Sequence, residues 1–201
     1  MHLPKLLLSL ALALLLTACG GMRIVDSDVS TFAGSEPLPP AANLAYRFER
    51  LPSQQATPQQ SDALEAIAQT ALARAGLRRD DAGAQVSVQL SLKMFRDPQA
   101  PWDDPRYLEG RSIPRAVATP YGLMMRHPPL DMAFEFPYYR RELAIVIRRV
   151  SDGRVLYEVK AQHDGRWSDD ANVLPAMFQA ALSAFPAAPG GPRRVVVEIP
   201  R

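Results

Sequence analysis

The chain has 201 residues, with 23 basic and 21 acidic side chains and a formal net charge of +2. That near-balance argues against a nucleic-acid-binding surface. A composition of 47% hydrophobic and 22% charged residues argues against a disordered chain. One cysteine forbids an intrachain disulfide and a cysteine-rich zinc site.

Lys5 followed by the Leu/Ala/Ser run at 6–16 has the charge and length of a signal peptide. A membrane-crossing helix would need about 20 apolar residues. The run closes in Leu16-Thr17-Ala18-Cys19-Gly20, and the lone cysteine stands there. This resembles the lipobox of bacterial lipoproteins. The resemblance implies cleavage after residue 18 and lipid attachment at Cys19, with Leu16, Thr17 and Ala18 completing the signal-peptidase motif. Several acyl chains on one residue satisfy the two-signal requirement for stable anchoring. Gly20, rather than Asp, after the cysteine implies the outer membrane, periplasmic face, by the sorting pattern of enteric lipoproteins.

Residues 19–43 read as a lipidated tether, although 24–29 has enough apolar character for a short strand. Leu44, Tyr46 and Phe48 alternate with polar residues, as in a half-buried strand. Thr57-Pro58-Gln59-Gln60 predicts a capped helix start. Leu64, Ile67, Ala68, Ala71, Leu72 and Ala75 then form one apolar stripe over 58–75, closed by Gly76 and Leu77. The charges of 78–81 compensate one another on a solvated surface. Val86, Val88, Leu90, Leu92 and Met94 keep period two, so 86–94 is a strand. A helix joins it to the first strand, which favours a parallel pair.

Residues 143–150 form a more fully apolar strand. Ser151-Asp152-Gly153-Arg154 is a hairpin turn, and 155–161 returns from it. Asn172 is read as the cap of a second helix, with Pro175 at its third position. Pro186 ends that helix, and 195–199 is a last strand.

Between these elements, residues 97–139 hold eight of the chain's 19 prolines and seven of its aromatics. Trp102, Tyr107, Tyr121, Met124, Met125, Phe136, Tyr138 and Tyr139, set among arginines, match interface composition. They are the candidate partner-binding residues. The competing reading packs these aromatics over the sheet.

The order of lipobox, aromatic strand, helix ending in Gly76-Leu77, strand at 86–94, charged hairpin and helix closing in Ala184-Phe185-Pro186 resembles the bacterial lipoproteins grouped as domain of unknown function 4136. The resemblance spans about residues 23–186. It implies no activity and no catalytic residues.

Chemistry is sparse. No nucleophile elbow, phosphate loop or dinucleotide fingerprint is present, so no cofactor is implied. His2, His127 and His163 lack metal-ligand spacing, so no metal is expected. Asp103-Asp104 reads as turn chemistry, and Asp169-Asp170 as charge placed at a helix start. His163, Asp164 and Ser168 are the residual hydrolytic set. The expected fold is α+β: residues 44–201 form a single mixed sheet of about five strands with two helices packed on one face, in the order β-α-β-β-β-α-β. The expected function is that of a non-enzymatic, outer-membrane-anchored binding or accessory module of the cell envelope. A carrier of an apolar ligand is the alternative, and an envelope hydrolase ranks third.

Overall fold

A computed structural model of the chain describes residues 21–34, 36–40, 44–97, 116–119, 122–125 and 138–200. The strands are β1 (Met22–Ala33), β2 (Leu44–Glu49), β3 (Leu77–Arg79), β4 (Val86–Asp97), β5 (Ala116–Thr119), β6 (Gly122–Met125), β7 (Tyr138–Arg149), β8 (Val155–Gly165) and β9 (Arg193–Pro200). The helices are α1 (Pro52–Gln55), α2 (Pro58–Arg74) and α3 (Asp170–Leu182). Seven strands make one sheet in the order β3-β2-β4-β7-β8-β1-β9, and β5 and β6 pair separately as a small antiparallel ladder. β2 runs parallel to β3 and β4, and every other neighbouring pair in the large sheet is antiparallel.

The single mixed sheet is as expected, but it has seven strands rather than about five. β1 is the larger addition. Residues 22–33, expected within the tether, lie between β8 and β9 near one side of the sheet. The inward row of β1 is Arg23, Val25, Ser27, Val29 and Thr31, all buried, while Met22, Ile24 and Phe32 are exposed. Three polar residues share the inward row with two valines, and three apolar ones face out, so the usual alternation is scrambled. β3 is the smaller addition. Its Leu77 is buried, but Arg78 and Arg79 face solvent, so only backbone pairing with β2 makes it a strand.

α2 forms as the stripe predicts. Ala68, Ala71 and Leu72 are buried, Leu64 and Ile67 pack against the core, and Gly76 takes a φ of 92° just beyond the helix. Gly tolerates that conformation without the Cβ clash other residues meet. The capping box, however, is not at Thr57, whose side chain makes no cap bond. The short helix α1 precedes it, and Gln54 Oε1 there accepts the Leu51 backbone N–H at 2.9 Å. The second helix also starts earlier than expected. Asp169 is its N-cap position, so Asn172 lies in the first turn and Pro175 lies inside the helix. Asn172 Nδ2 donates to Asp169 Oδ2 at 2.7 Å, which turns the expected cap into a support for the actual one.

The core lies between the helices and one sheet face. Val25, Val88, Leu90, Leu143, Ile145, Tyr157 and Val159 meet Leu72, Val173, Met177 and Phe178 there. Burying one such aliphatic side chain contributes about 1.5–3 kcal/mol, and together these residues supply most of the driving force. Beyond β8, the chain packs Phe185 edge-on to Tyr157, with ring centroids 5.2 Å apart.

Candidate functional site

The inward rows of β7 and β8 are apolar along most of their length and polar at one end, and that of β1 mixes valines with Arg23, Ser27 and Thr31. β7 ends its row with Arg141, β8 with His163 and β1 with Ser27 and Arg23, all buried. Arg141 and His163 are register partners, so these side chains converge at one end of the sheet. α3 begins beside them, and its first carboxylates neutralise the two guanidiniums. Arg23 Nη2 lies 2.6 Å from Asp169 Oδ2, and Arg141 Nε donates to Asp170 Oδ1 at 2.7 Å. Arg141 is only 1% exposed, so an unpaired charge there would be severely penalised. Asp169 is held below the ordinary carboxylate range by the Asn172 amide first and by Arg23 second.

The same arginines fix Trp167. Arg141 Nη2 donates to the Trp167 carbonyl at 2.7 Å, and the Arg23 guanidinium lies 4.7 Å from the centre of its ring. His163 Nδ1 donates to the Asp26 carbonyl at 2.6 Å. Among the described residues, Arg23 Nε, Ser27 Oγ, Arg141 Nη1 and His163 Nε2 are buried without a hydrogen-bond partner. Chemically this is a cationic clamp that ties the start of α3, and the segment bearing Trp167, to β1 and β7.

The residual hydrolytic set is not assembled. His163 and Asp164 are consecutive in a strand and therefore point to opposite faces. His163 faces the helices, while the Asp164 carboxylate accepts a hydrogen bond from the Tyr138 hydroxyl on the other face. Ser168 is exposed, and its carbonyl accepts the Asp170 N–H at 3.0 Å. The pair Asp169-Asp170 does stand at a helix start, as its charge predicts.

Of the several clefts among the described residues, two lie on opposite faces of the sheet. One, of about 400 Å³, runs between α2 and β4 and is lined by Leu64, Ile67, Leu92, Met94 and Leu174. The other, of about 470 Å³, opens on the sheet face away from the helices, between Asp28, Lys160 and Arg194. Arg194 there pairs with Asp26, and Lys160 lies 5.6 Å from the Phe32 ring centre.

The family profile described as "Domain of unknown function (DUF4136)" matches residues 40–187. The chain belongs to the DUF4136 family. The match is narrower than the 23–186 suggested by pattern, and it leaves β1 and β9, which pair with each other, outside. No curated protein sequence matches this DUF4136 chain. Among solved structures it is similar to a PDZ domain protein from Parabacteroides distasonis, with 16% identity and a TM-score of 0.51. That alignment covers 94% of this chain and 41% of the other, so the chain spans less than half of that protein, and the likeness is one of fold. Two PelC dodecamer structures from Paraburkholderia phytofirmans are 12% and 13% identical, with TM-scores of 0.42 and 0.43. Each alignment covers 78% of this chain, and 95% and 96% of PelC.

Sequence composition grouped the candidate partner-binding residues in one insertion, and the DUF4136 fold divides them. Tyr138 and Tyr139 are not in a loop but begin β7. Tyr138 is buried, and its hydroxyl is pushed well above the usual range, by burial first and then by Asp164. Tyr139 lies under the Arg141 guanidinium at 5.4 Å. Met124 and Met125 stand in β6, opposite Val117 and Ala116. Trp102, Tyr107, Tyr121 and Phe136 lie outside the described residues, as do Leu16, Thr17, Ala18, Cys19, His127 and Asp103-Asp104. Sequence reasoning missed the clamp, because Arg23, Arg141 and His163 are far apart in the chain and only the strand registers unite them. The one available signal was Asp169-Asp170, a doubled negative charge beside a predicted helix.

Proposed function

We propose that this chain is an outer-membrane-anchored, periplasm-facing lipoprotein, attached through Cys19 and serving as a binding or accessory module of the cell envelope. The observation that carries the reading is the pairing of β4 with β7. These strands are register partners from Val86↔Arg149 to Asp97↔Tyr138. The chain therefore leaves β4 and re-enters β7 at adjacent positions, where a tight hairpin of two to five residues would suffice. Residues 98–137 are not needed to connect the sheet, and their enrichment in aromatics, methionine and arginine is that of a contact surface. Trp102, Tyr107, Tyr121, Met124, Met125 and Phe136 are the residues assigned to an envelope partner. Tyr138 and Tyr139 belong to the scaffold that presents them.

The α2–β4 cleft favours a second reading, a carrier of an apolar ligand, because its volume and aliphatic lining lie within the range of small-molecule sites.

In-cell crosslinking with three chains tests the proposal: the native chain, Cys19→Ser, and a chain with 98–137 replaced by a short Gly-Ser turn. The expected outcome is a crosslinked envelope partner for the native chain alone. Cys19→Ser should leave the membrane fraction and lose labelled palmitate. The shortened chain should stay folded and anchored but lose the partner. Retention of every crosslink by the shortened chain would move the binding surface elsewhere.

A further inference from the structure

β1 starts at Met22, three residues after Cys19. An extended chain spans at most about 3.3–3.6 Å per residue, so a lipid on Cys19 lies within about 10 Å of the first residue of the sheet. The strand registers define what shares that end. Met22 pairs with Pro200, Tyr139 with Gly165 and Asp97 with Tyr138. Five of the ten large apolar side chains exposed among the described residues gather around it: Met22 at 58%, Ile24 at 59%, Met94 at 54%, Phe95 at 50% and Trp167 at 42%.

The charge at this end is selective. Asp164, Asp169 and Asp170 are each engaged, by Tyr138, Arg23 and Arg141. Lys93, Arg96 and Arg140 are exposed and outnumber the remaining exposed acids at the same register levels, Asp28 and Glu198. The rim therefore combines apolar side chains with outward basic ones, the composition that settles at a membrane interface facing anionic headgroups. Trp167 strengthens the case independently of Cys19. Its segment is held by a buried arginine at 2.7 Å and its ring by a second guanidinium, yet the indole remains substantially exposed. The fold fixes a large aromatic ring where it faces outward. Among the described residues no helix is long and apolar enough to cross a membrane, so the contact would be superficial.

We infer that this rim of the sheet, with Trp167 at its edge, rests in the headgroup layer of an anionic phospholipid membrane, so that the domain stands end-on against the leaflet. The inference rests on the lipid-anchor reading above and adds the surface and orientation of contact.

The test uses the full chain, processed in a bacterial host and reconstituted into vesicles of phosphatidylethanolamine and phosphatidylglycerol containing lipids brominated high on the acyl chain. The protein has two tryptophans, so Trp102→Phe leaves Trp167 as the only reporter. Its fluorescence should be quenched by the brominated lipid, and the quenching should fall severalfold when Met94→Ser and Phe95→Ser are added. In the mirror variant, Trp167→Phe, the quenching attributable to this site should vanish, which guards against misfolding caused by the Trp102 change. Mass spectrometry of the same samples reads the acylation of Cys19. An acylated, vesicle-bound protein with unquenched Trp167 overturns the rim contact and leaves the anchor standing. An unacylated Cys19 overturns the anchor and the rim contact with it.

Discussion

The two sides of the sheet solve one problem with different materials. At the β3-β2-β4 side, α2 covers strands whose inward residues are apolar: Leu44, Val86, Val88 and Leu90 meet Ala68 and Leu72. At the β7-β8-β1 side, α3 covers strands whose inward rows end in Arg23, Ser27, Arg141 and His163. The first side is held mainly by area removed from water, which is non-directional and tolerant of small shifts, with one Arg50–Glu65 pair at its edge. The second adds directional charge pairs, which cost desolvation and reward one geometry only. The comparison teaches that the polar side fixes where a helix begins and where a tryptophan points, while the apolar side only has to close.

The contrast can be broken most strongly at Leu72. Leu72→Asp places an unpaired carboxylate in a fully buried position and should cost several kcal/mol, about 3–5, read as a large drop in the urea midpoint. A native midpoint would mean that the α2 face is not what drives that side.

Next in size, Asp170→Ala strips Arg141 of its carboxylate. Loss of one partner of a fully buried pair costs about 3–5 kcal/mol. Asp170 is itself partly exposed, so about 2–3 kcal/mol is expected here. The informative experiment is the pair: Arg141→Met added to Asp170→Ala should recover most of the midpoint, because the buried charge goes as well. Failure to recover would show that Arg141 is needed for its bond to the Trp167 carbonyl as much as for its charge.

The smallest effect is a pH dependence at Asp169. Its folded pKa is depressed, so its contribution is complete above the unfolded value of about 3.9 and is lost as pH falls through the folded one. Thermal melting should therefore weaken below about pH 4 in the native chain. Asp169→Asn should lower stability at neutral pH and flatten that acid limb. An unchanged limb would place the acid sensitivity in other carboxylates.

Apart from β3, the apolar side was legible in the sequence, for the same reason that it is tolerant. The stripe of α2 and the period-two run of β4 each express a local rule within a dozen residues, as does the Asp152-Gly153 turn between β7 and β8 on the other side. β1 was legible only as a possible short strand at 24–29 and not in its full length or place in the sheet, because Arg23, Ser27 and Thr31 point inward where a pattern reader looks for apolar residues. Their partners, Asp169 and the Pro189 carbonyl for two of them, are more than a hundred residues away. The start of α3 was misplaced for a related reason. Asn172 is a good cap locally, but Arg23 selects Asp169 from across the fold. Tyr138 and Tyr139 were assigned to the insertion because the Arg140-Arg141 pair masks the alternation of β7, whose inward Arg141 is buried only because Asp170 meets it.

The position of β1 has a consequence for the order of assembly. β2, α2, β3 and β4 follow one another along the chain and can find each other as soon as that stretch exists. β1 precedes them all, yet its neighbours are β8 and β9, with Met22 opposite Pro200. Pairings between distant segments form late, since the intervening chain must first be ordered. The first strand of the sheet therefore waits for β8, and its outer edge waits for β9, the last strand to arrive. A chain interrupted after α3 would keep its local half but leave the outer edge of β1, with Met22 and Ile24, open to any other strand that offered itself.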